Sequence, residues 1–252
     1  MKRFLIGLLL VLGLTAGLAF AQSLPTVSLT VKDGAAAGKG ELASTIKVAL
    51  LFTLLALTPA ILMLMTSFTR VIVSFHFLKQ AIGLQGVPPN QVLIGLALFI
   101  TLFIMTPVGL KIQKVALTPY NEGKIGETEA LKLATGPVKD FMLQQTREKD
   151  LALFLELSRS PRPRNRADVD LLVLIPAYAL SELKTAFQIG FLIYIPFLII
   201  DVVVASILVS LGMVFLPPTM VSLPCKIVLF IIADGWFLLI GSLVKSFHLE
   251  GF

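Results

Sequence analysis

Two carboxylates sit where carboxylates are costly. Asp201 lies in FLIIDVVVAS and Asp234 in FIIADGWFLL. An ionised side chain at membrane depth costs about 2.5–3.5 kcal/mol on insertion scales, so such a residue marks function or pairing. Three chemistries are open to this couple. A proton relay or ion site would make the chain an ion-coupled transporter. A salt bridge would be structural, with Asp201 to Lys226 and Asp234 to Arg70 as the pairs at hand. Either Asp could instead end a helix near water, which the adjacent Gly235 favours for Asp234. Pairing is the preferred reading, because an isolated buried carboxylate protonates rather than stays charged.

Glu182 and Lys184, in AYALSELKTAFQIG, form a second charged couple at the edge of an apolar run. They read either as a solvated helix start or as an ion pair between subunits. Other chemistry is sparse. The two histidines, His76 and His248, have no metal-ligand partner at helical spacing, and Ser74 and His76 point apart on a helix. HExxH, GxSxG, GxxxxGK[ST] and GxGxxG are all missing from the sequence. The single cysteine, Cys225, excludes an intrachain disulfide and reads as a small buried hydrophobe. No enzyme, cofactor or metal is expected.

The elements that position these groups follow from composition. The chain of 252 residues is 56% hydrophobic and 14% charged, against about 25% charged in soluble domains. The net charge of +6 does not point to nucleic acid. The basic residues of segment 111–170 are mixed with acidic ones and form no stripe with interleaved aromatics.

The N-terminus, MKRFLIGLLLVLGLTAGLAFAQ, has a basic start, a short apolar stretch and a small-x-small site. It reads as a signal peptide over 1–21, cleaved between Ala21 and Gln22. Residues 22–44 read as a flexible periplasmic linker. Four apolar segments follow, each near the ~20 residues that cross a bilayer. Pro88-Pro89 and Pro217-Pro218 mark turns between them.

The expected fold is an all-α membrane protein. Residues 45–110 form one proline-bent helical hairpin and 185–247 a second, with a loop at 210–220; 248–252 is a tail. Between the hairpins, 111–184 forms a small helical extracytoplasmic subdomain. The signal peptide places Arg70 and Lys79 in an inward-facing turn and the middle segment outside. Within it, Thr128–Ala134 suggests one short helix and Gly136-Pro137 opens another. Val138, Phe141 and Met142 share one helical face, as do Leu151, Phe154 and Leu155. So small a subdomain makes a poor core, which leaves Phe141 and Phe154 free to pack on a neighbouring copy. Arg159, Arg162, Arg164 and Arg166, interleaved with prolines, suit an extended solvated loop that could also touch lipid head groups.

The loop LGMVFLPP breaks the backbone where broken backbone is hardest to satisfy. It is either a turn at the membrane surface or a flexible apolar constriction.

The blocks SELKTAFQIG (181–190) and GMVFLPP (212–218), within 174–247, resemble the FliP family of flagellar biosynthetic proteins, as does TPAILMLMTSFTRVIVSFHFLKQ within 58–101. The counterparts in virulence injectisomes are similar but less close. The resemblance implies a non-enzymatic core subunit of the type III protein export gate, in the inner membrane at the flagellar basal body. Several copies would assemble with FliQ and FliR subunits as a pseudo-helical channel for unfolded flagellar proteins. It implies further that Glu182, Phe141 and Phe154 lie at subunit interfaces. The gate would be Met213, Val214 and Phe215, braced by Pro217 and Pro218. Family gates are methionine-rich. Here only Met213 is a methionine, so an apolar seal of mixed composition is the expectation.

Overall fold

The computed structural model describes residues 48–247 apart from 51, 54, 55, 58, 59, 62, 85, 159–162, 164 and 214. The expected signal peptide, linker and tail, with Ala21, Gln22 and His248, lie outside the described residues. So do Val214 and three of the four loop arginines. The described residues hold helices and connecting turns and no strand. Residues 48–50 and 52 are helical. Everything that follows concerns the unit that begins at Thr53.

The first full helix is α1, Phe68–Ile82. Phe68, Val71, Phe75, Leu78 and Ile82 recur at spacings of three and four, and all five are buried. Each such burial stabilises by about 1.5–3 kcal/mol. This corrects the expectation that Arg70 and Lys79 sit in a turn. The segment is an amphipathic core helix, and its charges flank an apolar stripe that a search for gaps between charges passes over. Gly83 ends α1 with φ of 86°, donating its N–H to the Lys79 and Gln80 carbonyls at 3.2 and 3.1 Å. That left-handed conformation suits glycine.

Lys79 then spans the Pro88-Pro89 turn, donating to the Pro88 carbonyl and to Asn90 Oδ1, both at 3.0 Å. Helix α2, Asn90–Ile112, continues through one π-turn (Gln113–Leu117) into the short α3, Thr118–Asn121. Leu93, Ala97, Ile100, Ile104 and Val108 of α2 face the core, while Phe99 and Leu102 face out. Helix α4, Glu127–Gln145, runs straight through Gly136-Pro137, so the two short helices expected there are one. Pro137 forfeits a single intrahelical bond, which a helix of this length survives. Helix α5, Glu148–Leu157, packs beside it on the next element.

That element is α6, Leu171–Ser210, a single helix of 40 residues and so about 60 Å long. Asp170 caps it by accepting from the Leu172 N–H. Its N-terminal part belongs to the core with α1, α4 and α5; the remainder carries exposed apolar side chains. The expected boundary at 184–185 falls inside this unbroken helix. Gly190 permits close approach to α1: a Cβ there would lie 2.4 Å from the Phe77 ring. Helix α7, Pro218–Ile232, and helix α8, Gly235–Lys245, form a bent pair at 63°. The fourth apolar segment is therefore not one straight helix. Among the described residues two helices are long and apolar enough to cross a membrane, or three if the bent pair is one span.

Candidate functional site

Arg70 lies on the buried face of α1 with 2% of its surface exposed. Its Nε donates to Glu182 Oε2 at 2.9 Å, and a second guanidinium nitrogen pairs with Glu182 Oε1. Other guanidinium N–H groups reach Gln145 Oε1 at 3.1 Å and the Ser246 carbonyl and hydroxyl at 3.1 and 3.0 Å. The planar fork suits such two-point contact with a carboxylate. The Phe247 ring lies 3.8 Å from the guanidinium carbon, a cation–π contact. Phe141 stacks on Phe247, and Gln145 donates to the Phe247 carbonyl at 2.8 Å. Arg70 thus joins α1, α4, α6 and the segment after α8.

This hub places Glu182 and Phe141 inside the protomer, at 0% and 5% exposure. Phe154, the third residue expected at an interface, is half-buried. The pairing of Arg70 with Asp234 does not occur; Arg70 is taken by Glu182. Glu182 and Lys184, two residues apart on α6, point to different sides of the helix.

Lys184 instead pairs with Asp150 of α5. Ser181 donates to the other Asp150 oxygen at 2.8 Å and itself accepts the Arg147 N–H at 3.1 Å. Burial pushes the Asp150 carboxyl up, but Lys184, the Ser181 hydroxyl and Arg147 outweigh it and hold it below its ordinary 3.8. Arg166 closes the same corner by donating to the Leu143 and Thr146 carbonyls, each at 3.2 Å.

A third network joins the bent pair to the core. Lys226 of α7, with 3% of its surface exposed, lies 2.6 Å from Asp201 Oδ2 and donates to the Ala81 carbonyl at 3.1 Å. Ser222, one turn earlier, donates to Asp201 Oδ1 at 2.5 Å. One carboxylate, one ammonium and one hydroxyl thus tie α6 and α7 to the end of α1. Removing either partner would leave the other without its counter-charge in an apolar setting.

Asp234 behaves differently. It stands at the corner between α7 and α8 with φ of 48° and ψ of 52°, exposed, and without a side-chain capping bond. The dipole of α8 favours a carboxylate there by about 0.3–1 kcal/mol, less than the ~2.5–3.5 kcal/mol that charge costs in lipid. Behind it, Gly235 is needed because a Cβ would lie 2.1 Å from the Phe230 ring.

The loop after α6 is closed by its backbone, with Gly212 at φ of 77° and Met213 donating to the Leu208 carbonyl at 2.9 Å. Pro217 and Pro218 begin α7, where proline costs no helical bond. Phe215 at the tip is 100% exposed, and Met213 and Leu216 are each 47% exposed. Among the described residues no group of three or more His, Cys, Asp or Glu side chains could hold a metal.

These features define a class: a helical protein of membrane type, with buried ion pairs fastening its long apolar helices and a wholly apolar loop projecting from them. The FliP family model matches residues 51–243, and the chain belongs to that family. It is 53% identical over 204 residues to the flagellar biosynthetic protein FliP of Bacillus subtilis, covering 81% of this chain and 92% of that one. Against FliP of Aquifex aeolicus identity is 46% over 242 residues, with 95% and 98% covered. Against that of Pectobacterium carotovorum it is 49% over 204 residues, with 81% and 79% covered.

Proposed function

We propose that the chain is a core channel subunit of the flagellar type III protein export gate in the bacterial inner membrane. It would pass unfolded flagellar subunits and close the pore with loop 210–220 when idle. The observation that carries this reading is the loop itself: a segment of a FliP-family chain that projects Phe215 fully into the surroundings at an unbroken apolar stretch.

A protomer alone gives such a tip nothing to pack on. Several copies around one axis would bring their Met213, Val214 and Phe215 side chains together, with Pro217 and Pro218 stiffening the base. Apolar side chains in a ring exclude hydrated ions and yield to a passing chain without forming directional bonds. FliQ and FliR subunits and further copies of this chain would cover the exposed apolar surfaces. The segment 111–184 lies on the periplasmic side in this arrangement, with Phe154 turned toward a neighbour. Phe141 and Glu182 serve the interface from within, by fixing α4 and α6. The alternative of an ion-coupled transporter gains no support, since Asp201 is committed to Lys226.

Replacing Met213, Val214 and Phe215 together with Ala should make intact membranes leak small ions or dyes while the chain still assembles. Normal permeability in an assembled triple variant would sink the gate reading.

A further inference from the structure

Two cavities meet at Lys79. One is open and polar, about 430 Å³, with His76, Lys79, Gln80 and Asn90 in its wall. The other is a more enclosed fissure of about 300 Å³, walled by Phe75 of α1, Leu93 of α2, Ile227 and Phe230 of α7 and Trp236 of α8. Lys79 and Leu84 line both, so the two spaces adjoin. No carboxylate lines either among the described residues.

The polar side is short of an anion. Lys79 donates to the Pro88 carbonyl and to Asn90 Oδ1. Both acceptors are neutral, so these bonds fix the ammonium in place without answering its charge. Asn90 accepts through its oxygen, which leaves its amide N–H groups to donate. Water alone would satisfy these groups, but water does not account for the fissure. At about 30 Å³ each, roughly ten waters would be needed to fill it. The side chains of its wall offer them only the Lys79 ammonium and the Trp236 indole N–H. Apolar cavities stay dry and take apolar guests. Phe75 and Phe230 pack edge-on against Trp236, with ring centres 6.1 and 5.6 Å apart, so ring contacts brace the wall. A ligand that answers both spaces joins an anionic group to an alkyl chain.

We propose that Lys79 and the fissure form a seat for an anionic phospholipid, with its phosphate at Lys79 and Asn90 and part of one acyl chain between α1, α2, α7 and α8. Lysine and tryptophan are residue types that settle at head-group depth, and basic pockets between membrane helices hold anionic head groups. The proposal rests on the reading of the chain as an inner-membrane protein.

Trp236 is the only tryptophan in the chain, so its fluorescence reports on the fissure. The test extracts the full-length chain in mild detergent, washes it free of native lipid and titrates it with phosphatidylglycerol whose acyl chains carry bromine, a contact quencher. Quenching should saturate. Half-saturation should come at about fivefold lower mole fraction than with phosphatidylcholine of the same brominated chains, the advantage that one lysine gives an anionic head group. Equal quenching by the two lipids would mark a loose film of lipid over the indole and overturn the proposal. So would displacement of the brominated lipid by an equal concentration of inorganic phosphate, which would mark a seat for a free ion. Lys79→Met should abolish the preference for phosphatidylglycerol and Lys79→Arg should keep it; an undiminished preference in Lys79→Met overturns the placing of the phosphate. Ile227→Phe narrows the fissure and should weaken quenching by both lipids several-fold; an unaltered titration overturns the placing of the acyl chain. Because Lys79 also holds the Pro88-Pro89 turn, the comparison of the two lipids on the wild-type chain decides without either variant. Recovery of the chain from the soluble fraction of lysed cells would refute the inner-membrane reading and the proposal together. A membrane-extracted chain without the head-group preference overturns the proposal alone.

Discussion

At Arg70 one cation answers to four parts of the chain, which makes it the residue where a single change does most damage. Glu182→Ala would leave the guanidinium buried without a counter-charge, a loss of about 3–5 kcal/mol. Arg70→Met combined with Glu182→Leu removes both charges at similar volume and should recover most of that stability. Thermal unfolding of the detergent-solubilised chain checks both, and equal losses in the single and double variants would refute the account. The Arg70–Glu182 contact was hidden in the sequence because 112 residues separate the two and each has a nearer charge with which to be matched. The closeness of Asp201 to Lys226 has a plainer cue, since each interrupts an otherwise apolar run and 25 residues separate them. Asp150 carries a pH prediction. Its carboxyl is held below 3.8 when folded, so the unfolded chain takes up its proton first as the solution is acidified. The stability it contributes is present at neutral pH and is lost as pH falls below about 4 through the folded value. Asp150→Asn should therefore lower stability at pH 7 and flatten its decline between about pH 5 and 3, read by unfolding midpoints across that range.

Among elements, α1 and α6 set the frame, and their crossing is closest at Gly190. Gly190→Ala would drive a methyl group into the Phe77 ring and cost about 1–3 kcal/mol as overpacking. Phe77→Leu in the same chain should relieve part of the loss; unfolding midpoints of the two variants decide, and an unaffected Gly190→Ala protein would show that the helices have room to spare. Helical content, the apolar faces of α4 and α5 and the breaks at paired prolines were all legible in residue spacing. Helix α1 was not, because its buried Arg70 looks like a boundary in any reading that divides the chain at charges. The continuity of α6 was equally hidden. Pro176 and Pro196 sit inside it, each forfeiting one intrahelical bond, and the helix is packed along its length by α1, α4, α5 and α7. The corner at Asp234 left a cue in Ala-Asp-Gly, residues that accept unusual backbone.

At the scale of the whole molecule, the exposed apolar surface of α2, α6, α7 and α8 far exceeds the few hundred Å² of contiguous patch that a soluble monomer carries. Extracted in mild detergent with its partner subunits, the chain should run at a native mass of many protomers, and harsher detergent should reduce that mass stepwise. A particle of one protomer under the mild condition would refute the channel reading. The copy number of the proposed channel leaves no trace in the spacing of one chain's residues, because the packing that would decide it joins separate polypeptides.

The links from Arg70 also impose an order on biosynthesis. Its partners Gln145, Glu182 and Ser246 follow it by 75, 112 and 176 residues. At about 5–20 residues per second, the nascent chain holds a bare guanidinium for roughly 6–22 s before Glu182 emerges, and half as long again before Ser246 does. During that interval the newborn helix must shelter its positive charge in water, at the lipid surface or against an attendant protein.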